Sequence, residues 1–302
     1  MTFGARIKEE ITKNLDNPAE SLVSLSAYLK FNTIIDDKIT ILIENPSVAR
    51  WLFKLIKFHY NVPIVLTTRT FKRFKTRNLY ILEIKEKINT IKADIDNTFA
   101  NIINLSDEEK IAFLKGLFLT CGSINDPKTN LYHLEFLVKD EADANLINQI
   151  LLDLNFRSKV LKREREYMIY IKASENISDF IKYLGAMNAL FYFEDIRIYK
   201  DHKNMVNRLN NCEQANVEKS MKSSKAILGA IEYLEVNELL NLLDDRTNEI
   251  IDYKKRYPET SLAELAEIIS LETTKKISKS GINHHYRKIN ELVHKHQEKN
   301  SN

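Results

Sequence analysis

The sequence predicts an α+β protein: a duplicated module of mixed helices and strands followed by an all-α C-terminal domain. Two observations carry this. Residues 1–105 and 106–200 are self-similar halves in which the apolar period switches between helical and strand spacing in one order. Past a polar stretch at 201–220, residues 221–302 hold helical spacing alone.

The elements of the two halves pair off. Ala19 to Phe31 and Asp107 to Cys121 read as leading helices, and Lys38 to Ile43 and Tyr132 to Val138 as strands. Amphipathic helices follow at Ser47 to Tyr60 and Glu141 to Leu154, each ending on an asparagine and an apolar residue, Asn61-Val62 and Asn155-Phe156. The next strands are VPIVL and RSKVL, and their partners YILEIK from Tyr80 and YMIYIK from Tyr167 alternate at the strand period. A helix closes each half. The residues thus give helix, strand, helix, strand, strand, helix, twice.

A basic hairpin tip joins the last two strands of each half. In the first, Arg69, Lys72, Arg73, Lys75 and Arg77 interleave with Phe71 and Phe74. In the second, the run from Lys159 to Arg165 is diluted by Glu164 and Glu166. Equivalent positive tips on a twofold scaffold would neutralise phosphates of a duplex, making the first a secondary DNA contact. The plainer reading is a pair of solvated turns whose charge discourages edge pairing.

The second leading helix carries FLKGLFLTCGSINDP, from Phe113 to Pro127. With Gly116 and Gly122 on the two motif glycines, it resembles the LAGLIDADG helix of homing endonucleases. That family implies an αββαββα order, two motif helices packed side by side, and an Asp or Glu at the end of each to hold a divalent cation. Here Cys121 stands at the acid position, and a thiol is a poor magnesium ligand. The first copy, LVSLSAYLK from Leu22, has Ser24 for the first glycine and Leu29 and Lys30 for the acid and last glycine. A lysine there repels a cation. Neither copy offers the carboxylate that metal-assisted hydrolysis needs, so no nuclease activity, metal or cofactor is expected.

After Phe193 the stretch Glu194 to Ser220 is rich in asparagine and without apolar period, which predicts a solvated connector with Cys212 as a structural thiol. Helical spacing resumes at Ala226, Ile227, Ala230, Ile231 and Leu234, then at Leu239 to Leu243 and Ile250 to Tyr257. In SLAELAEIIS, Ser261 and Glu264 make a capping box. A polar turn leads to SKSGINHHYRKINELV from Ser278, where Ile282, Tyr286, Ile289 and Val293 share one helix face. At about 100° per residue, Ser280, His284, Arg287 and Lys288 fall on the other face. Lys275 to His296 holds six Lys or Arg against one acid, Glu291. This is the layout of a helix-turn-helix at about 261–294, its second helix reading duplex DNA. The expected contacts are Lys275, Lys276, Lys279, Ser280, Asn283, His284, Arg287 and Lys288. Arg287 suits guanine and Asn283 suits adenine. Adjacent His284 and His285 point apart on a helix and make no metal site.

With these residues in view, the chain resembles the WhiA-type bacterial regulators over nearly its whole length. The likeness rests on FLKGLFLTCGSINDP, YHLEF from Tyr132, DFIKYLGAMNALFYFEDIRIYKD from Asp179, NMVNRLNNCEQAN from Asn204 and SKSGINHHYRKIN. It implies a degenerate two-repeat LAGLIDADG domain joined to a helix-turn-helix domain, without nuclease activity. It further implies a DNA-binding role tied to sporulation genes in some bacteria and to cell division and chromosome segregation in others. Other transcription or division proteins enter as possible partners. The motif glycine positions are more eroded here than is usual, which weakens the case for DNA contact by the first repeat. The Lys- and Asn-rich composition points to a reduced genome, where a sporulation role fits poorly.

Composition excludes other classes. Lys and Arg total 45 against 42 Asp and Glu in 302 residues, a net +3, so only local charge clustering is informative. No apolar run approaches the ~18 residues of a membrane span, and the N-terminus lacks a signal-peptide core. Cys121 and Cys212 lie far apart and form no CxxC. A cytoplasmic, nucleoid-associated location is expected.

Overall fold

The computed structural model describes residues 1–14, 17–71, 77–129, 131–273 and 275–300. The chain divides into two compact units, Met1–Asp201 and His202–Asn302.

In the first unit the helix α1 (Phe3–Ile11) precedes the first repeat: α2 (Pro18–Asn32), β1 (Thr33–Ile35), β2 (Ile39–Ile43), α3 (Pro46–Tyr60), β3 (Ile64–Phe71), β4 (Arg77–Ile84) and α4 (Ile88–Ala100). The second repeat is α5 (Asp107–Cys121), β5 (Gly122–Ile124), β6 (Leu134–Val138), α6 (Glu141–Asp153), β7 (Lys159–Lys162), β8 (Tyr167–Ile171) and α7 (Ser174–Tyr183). Each repeat folds one antiparallel sheet, ordered β1-β2-β4-β3 and β5-β6-β8-β7. The duplication is therefore one of topology.

Local chemistry sets the boundaries. Asn17 caps α2 through Glu20 N–H, Asn45 caps α3, and proline follows each cap, where its missing N–H costs nothing. Ser106 and Glu109 close a capping box on α5. Both asparagines that end the amphipathic helices lie in the left-handed region, Asn61 at φ 47° and Asn155 at φ 64°.

Helices α2 and α5 pack directly on one another at the centre of the unit. Gly116 is required there: a Cβ on it would sit 2.0 Å from the Ser24 carbonyl oxygen. Buried Ser21, Ser24 and Ala27 on α2 permit that approach. At the end of α5, a Cβ on Gly122 would meet the Phe118 ring at 2.3 Å.

Three features depart from the sequence reading. Strands β1 and β5, immediately after the motif helices, escaped it because three residues are too few to display a period of two. Helix α1 also escaped it, yet its Phe3, Ile7 and Ile11 are core residues. Its Glu10 carboxylate accepts the Asn188 and Ala189 N–H groups at 2.7 and 3.1 Å, capping the next helix. That helix, α8 (Met187–Val236), runs through 194–220, where the sequence predicted only a solvated connector. Residues 201–219 are all exposed, so the apolar period is missing because nothing is buried, while Lys, Glu, Gln and Met sustain the helix. Cys212, read as a structural thiol, is exposed on it.

The second unit contains the C-terminal part of α8, a 3-10 turn at Leu240–Leu242, α9 (Asp245–Arg256), α10 (Leu262–Glu272) and α11 (Lys279–Asn300). Ile227, Ile231 and Leu234 of α8 share a core with Ile250, Ile251, Leu265, Ile269, Ile282 and Ile289.

Candidate nucleic-acid interface

The α10–turn–α11 segment is held at each joint. The Ser261–Glu264 capping box starts α10, with Ser261 N–H to Glu264 Oε2 at 2.8 Å. Across the turn, Ser270 Oγ accepts the Ile277 N–H at 3.1 Å and donates to the Ile277 carbonyl at 3.2 Å. Ser278 Oγ accepts the Gly281 N–H at 3.2 Å and starts α11. Ile282, Tyr286 and Ile289 are buried and Val293 is partly so, as their spacing predicted.

On the opposite face Lys279, Ser280, Asn283, His284 and Arg287 are exposed, with Lys275 and Lys276 exposed in the turn. Ser280 Oγ lies 2.8 Å from Ser278 Oγ. Lys288 differs from the rest: its Nζ is 2.8 Å from Asp244 Oδ2. Asp244 also caps α9 by accepting the Thr247 N–H and Oγ–H at 2.8 and 2.9 Å. The Lys288 hydrogen bond, with those from Thr247, holds the Asp244 carboxyl well below the usual range. Lys288 thus ties α11 to α9. His285 turns inward to Thr247 Oγ1 at 2.8 Å, and burial lowers its pKa, while His284 stays outside.

At the C-terminal ends of the paired motif helices, Leu29 is fully buried and Cys121 is half-buried. Cys121 Sγ donates to the Leu117 carbonyl at 3.5 Å, and burial pushes its thiol up to about 12. Lys8, brought in by α1, is close enough to couple with it, and burial pushes the ammonium down to about 8. A protonated thiol with a lysine nearby is the reverse of a cation site. Among the described residues no group of three or more His, Cys, Asp or Glu could hold a metal ion.

The first hairpin tip is described only in part. Arg69 is exposed on β3, but Lys72, Arg73 and Lys75 lie outside the described residues, as does the side chain of Arg77. At the second tip Arg163 is drawn back to Glu135 and Glu166, at 3.6 and 3.7 Å. Register shows what lines the outer faces of the sheets. Thr40, Glu83 and Val65 are cross-strand neighbours, as are Leu42, Ile81 and Thr67. In the other sheet Glu135, Tyr170 and Lys159 form one row and Leu137, Met168 and Leu161 the next. Glu83 is engaged by Lys38, and Glu135 by Arg163 and His133. Ile34, Leu42, Val65 and Leu161 are exposed on these faces.

Comparison with known proteins agrees with this anatomy. Family models match a WhiA N-terminal LAGLIDADG-like domain over residues 18–96, a WhiA LAGLIDADG-like domain over 110–203 and a WhiA C-terminal helix-turn-helix domain over 206–293. A Bacillus cytotoxicus protein named probable cell division protein WhiA is 38% identical, covering 98% of this chain and 97% of its own. The protein of that name from Bacillus cereus strain B4264 is 37% identical over the same shares. The crystal structure of full-length WhiA from Thermotoga maritima matches with a TM-score of 0.57 at 22% identity, covering 98% of this chain and 99% of that one. Fold and interface together define a class: a duplicated LAGLIDADG-like domain without its carboxylates, in one chain with a helix-turn-helix domain. Within that class, this chain belongs to the WhiA family.

No helix among the described residues is long and apolar enough to cross a membrane. Sequence reasoning missed Lys8, Asp244 and the buried Lys254, because charged residues in a charged chain carry no signal of the partner that folding brings to them.

Proposed function

We propose that this protein is a sequence-specific double-stranded-DNA-binding regulator without nuclease activity, acting in transcription control and in cell division and chromosome segregation. The observation that carries the reading is the exposed face of α11 and its turn, where Lys275, Lys276, Lys279, Asn283, His284 and Arg287 stand over an apolar side locked into the core. Unpaired cations and amides on a rigid helix can meet phosphates and base edges without first breaking other contacts. Lys288 enters only if DNA competes with Asp244 for it. The nucleoid is then the expected location, and other transcription or division proteins are the expected further partners. The name of the Bacillus relatives, a probable cell division protein, fits this role. The test is genome-wide crosslinking followed by footprinting of the full chain on a recovered site. A footprint unchanged by Arg287→Ala and Lys276→Ala together would overturn the assignment to α11.

A second reading draws on the sheets. Faces made of Leu42, Val65, Leu137 and Leu161 around internally paired carboxylates suit a protein surface better than a polyanion. The LAGLIDADG-like domain would then recruit a division or segregation factor while α11 holds the DNA.

The absence of cutting follows from Leu29 and Cys121 at the metal positions. Purified protein with magnesium or manganese should leave supercoiled DNA intact. Specific cleavage abolished by mutating one nearby acid would refute this.

A further inference from the structure

Within the second unit, a cavity of about 530 Å³ lies where the N-terminus of α10 meets α8, the end of α9 and the start of α11. Lys219, Lys254, Lys279, Tyr286, Leu262 and Ala263 are on its wall. Lys254 is 2% exposed and donates one hydrogen bond, to the Thr260 carbonyl at 2.9 Å. It forms no ion pair with a carboxylate among the described residues. Glu264, whose charge reaches it from a distance, is turned to the Ser261 N–H at 2.8 Å. Burying an ammonium without a counter-charge is costly, and a bound anion would offset that cost.

Three further donors face the same space. Tyr286 is 6% exposed, and its hydroxyl is sealed from solvent without a hydrogen-bond partner among the described residues. A buried hydroxyl without a protein partner in the apolar face of α11 marks a place for a water, an ion or a ligand. The Leu262 and Ala263 N–H groups, in the first turn of an eleven-residue helix, have no partner among the described residues. They carry the positive end of the helix dipole. Lys219 and Lys279 are exposed at the rim. Cationic, hydroxyl and amide donors from α8, α9, α10 and α11 thus converge on one small volume.

We propose that this cavity is a phosphate-binding site. Lys254, Tyr286 and the α10 amides hold the phosphate oxygens, and Lys219 and Lys279 guide the anion in. A phosphate of the DNA backbone and a soluble phosphate monoester share this chemistry. The DNA source rests on the function proposed above, whereas the site itself does not.

The experiment uses the full chain in two arms. In the first, inorganic phosphate is titrated at constant ionic strength against chloride while the Leu262 and Ala263 amides are followed by NMR. A saturable shift is expected, weakened about tenfold in Lys254→Met and in Tyr286→Phe, the scale of one charge-assisted hydrogen bond. Lys254→Met keeps the volume and removes an unpaired buried charge, so its Tm without phosphate should equal or exceed that of the native protein. In the second arm, preferred and scrambled duplexes are titrated. If the DNA backbone is the source, both variants weaken both duplexes equally, and Lys254→Met lowers the salt slope by about one. Variants that lose phosphate binding but keep DNA affinity would support the site and assign it to a soluble phosphate monoester. A native protein whose amides show no saturable shift with phosphate overturns the proposal, whatever the DNA arm gives. A native protein that binds no duplex sinks the DNA-binding reading and leaves the phosphate arm to decide.

Discussion

The outer face of α11 and the outer faces of the two sheets differ in how their charges are spent. On α11, Lys279 and Arg287 are exposed and form no ion pair with the described residues. On the sheets, Glu83 is held by Lys38 and Glu135 by Arg163 and His133, amid exposed Leu42, Val65 and Leu161. A free cation gains the whole of a phosphate contact, whereas a paired one must first give up its partner, so equal numbers of basic residues are not equal binding surfaces. On the sheets the described carboxylates are already engaged, whereas the outer face of α11 keeps its cations exposed.

The largest expected effect tests whether the two units are energetically distinct. Gly116→Ala would drive a Cβ into the Ser24 carbonyl and should destabilise the first unit by about 1–3 kcal/mol or more. Trp51, the one tryptophan and a buried residue of α3, reports that unfolding by fluorescence. The footprint at temperatures where the variant stays folded should be unchanged, and a shifted footprint would show that the first unit reads bases.

A comparable effect is expected on α11. Arg287→Ala should cost about 1–3 kcal/mol at one base position if it reads guanine, while Lys276→Ala should weaken all duplexes alike and flatten the salt slope. Equal losses on every sequence for both variants would reduce α11 to a phosphate clamp.

Next in size is a pH effect confined to the first unit. Lys8 is lowered from 10.5 to about 8 by burial, so between those values the native state binds fewer protons than the unfolded state. Stability from this group therefore rises as pH is raised through that window, and falls towards neutrality. Lys8→Met should remove the rise, seen as the difference between native and variant urea midpoints on Trp51 fluorescence. Parallel curves for the two proteins would place Lys8 in solvent.

The smallest effect is expected at the first hairpin tip. Replacing Arg69, Lys72, Arg73, Lys75 and Arg77 by glutamine should weaken DNA binding less than about tenfold, without altering the preferred site, because tethering already holds the duplex near. A loss matching that of Arg287→Ala on the preferred duplex would make the first repeat a DNA surface and remove the distinction between the two regions.

The sequence by itself determined the elements that carry a local signature. The twin repeats, the asparagine helix ends at Asn61 and Asn155, the Ser261–Glu264 cap and the apolar stripe of α11 all follow from spacing and capping chemistry, which act within a few residues. So did the positions of Leu29 and Cys121, because a motif fixes which residue ends its helix. Tertiary structure decided the rest. Helix 187–236 shows no stripe where it touches nothing, so periodicity, a record of burial, could not reveal it. Lys288 and Arg287 are neighbours alike on paper, yet one is drawn to Asp244, 44 positions away in sequence, and the other is exposed with no ion pair among the described residues. Lys254 became an ammonium without a carboxylate partner, and Tyr286 a hydroxyl without any partner among the described residues, only when four helices closed around one cavity. Whether a charge is free, paired or stranded depends on which distant groups folding brings within a few ångströms, and no local pattern encodes that.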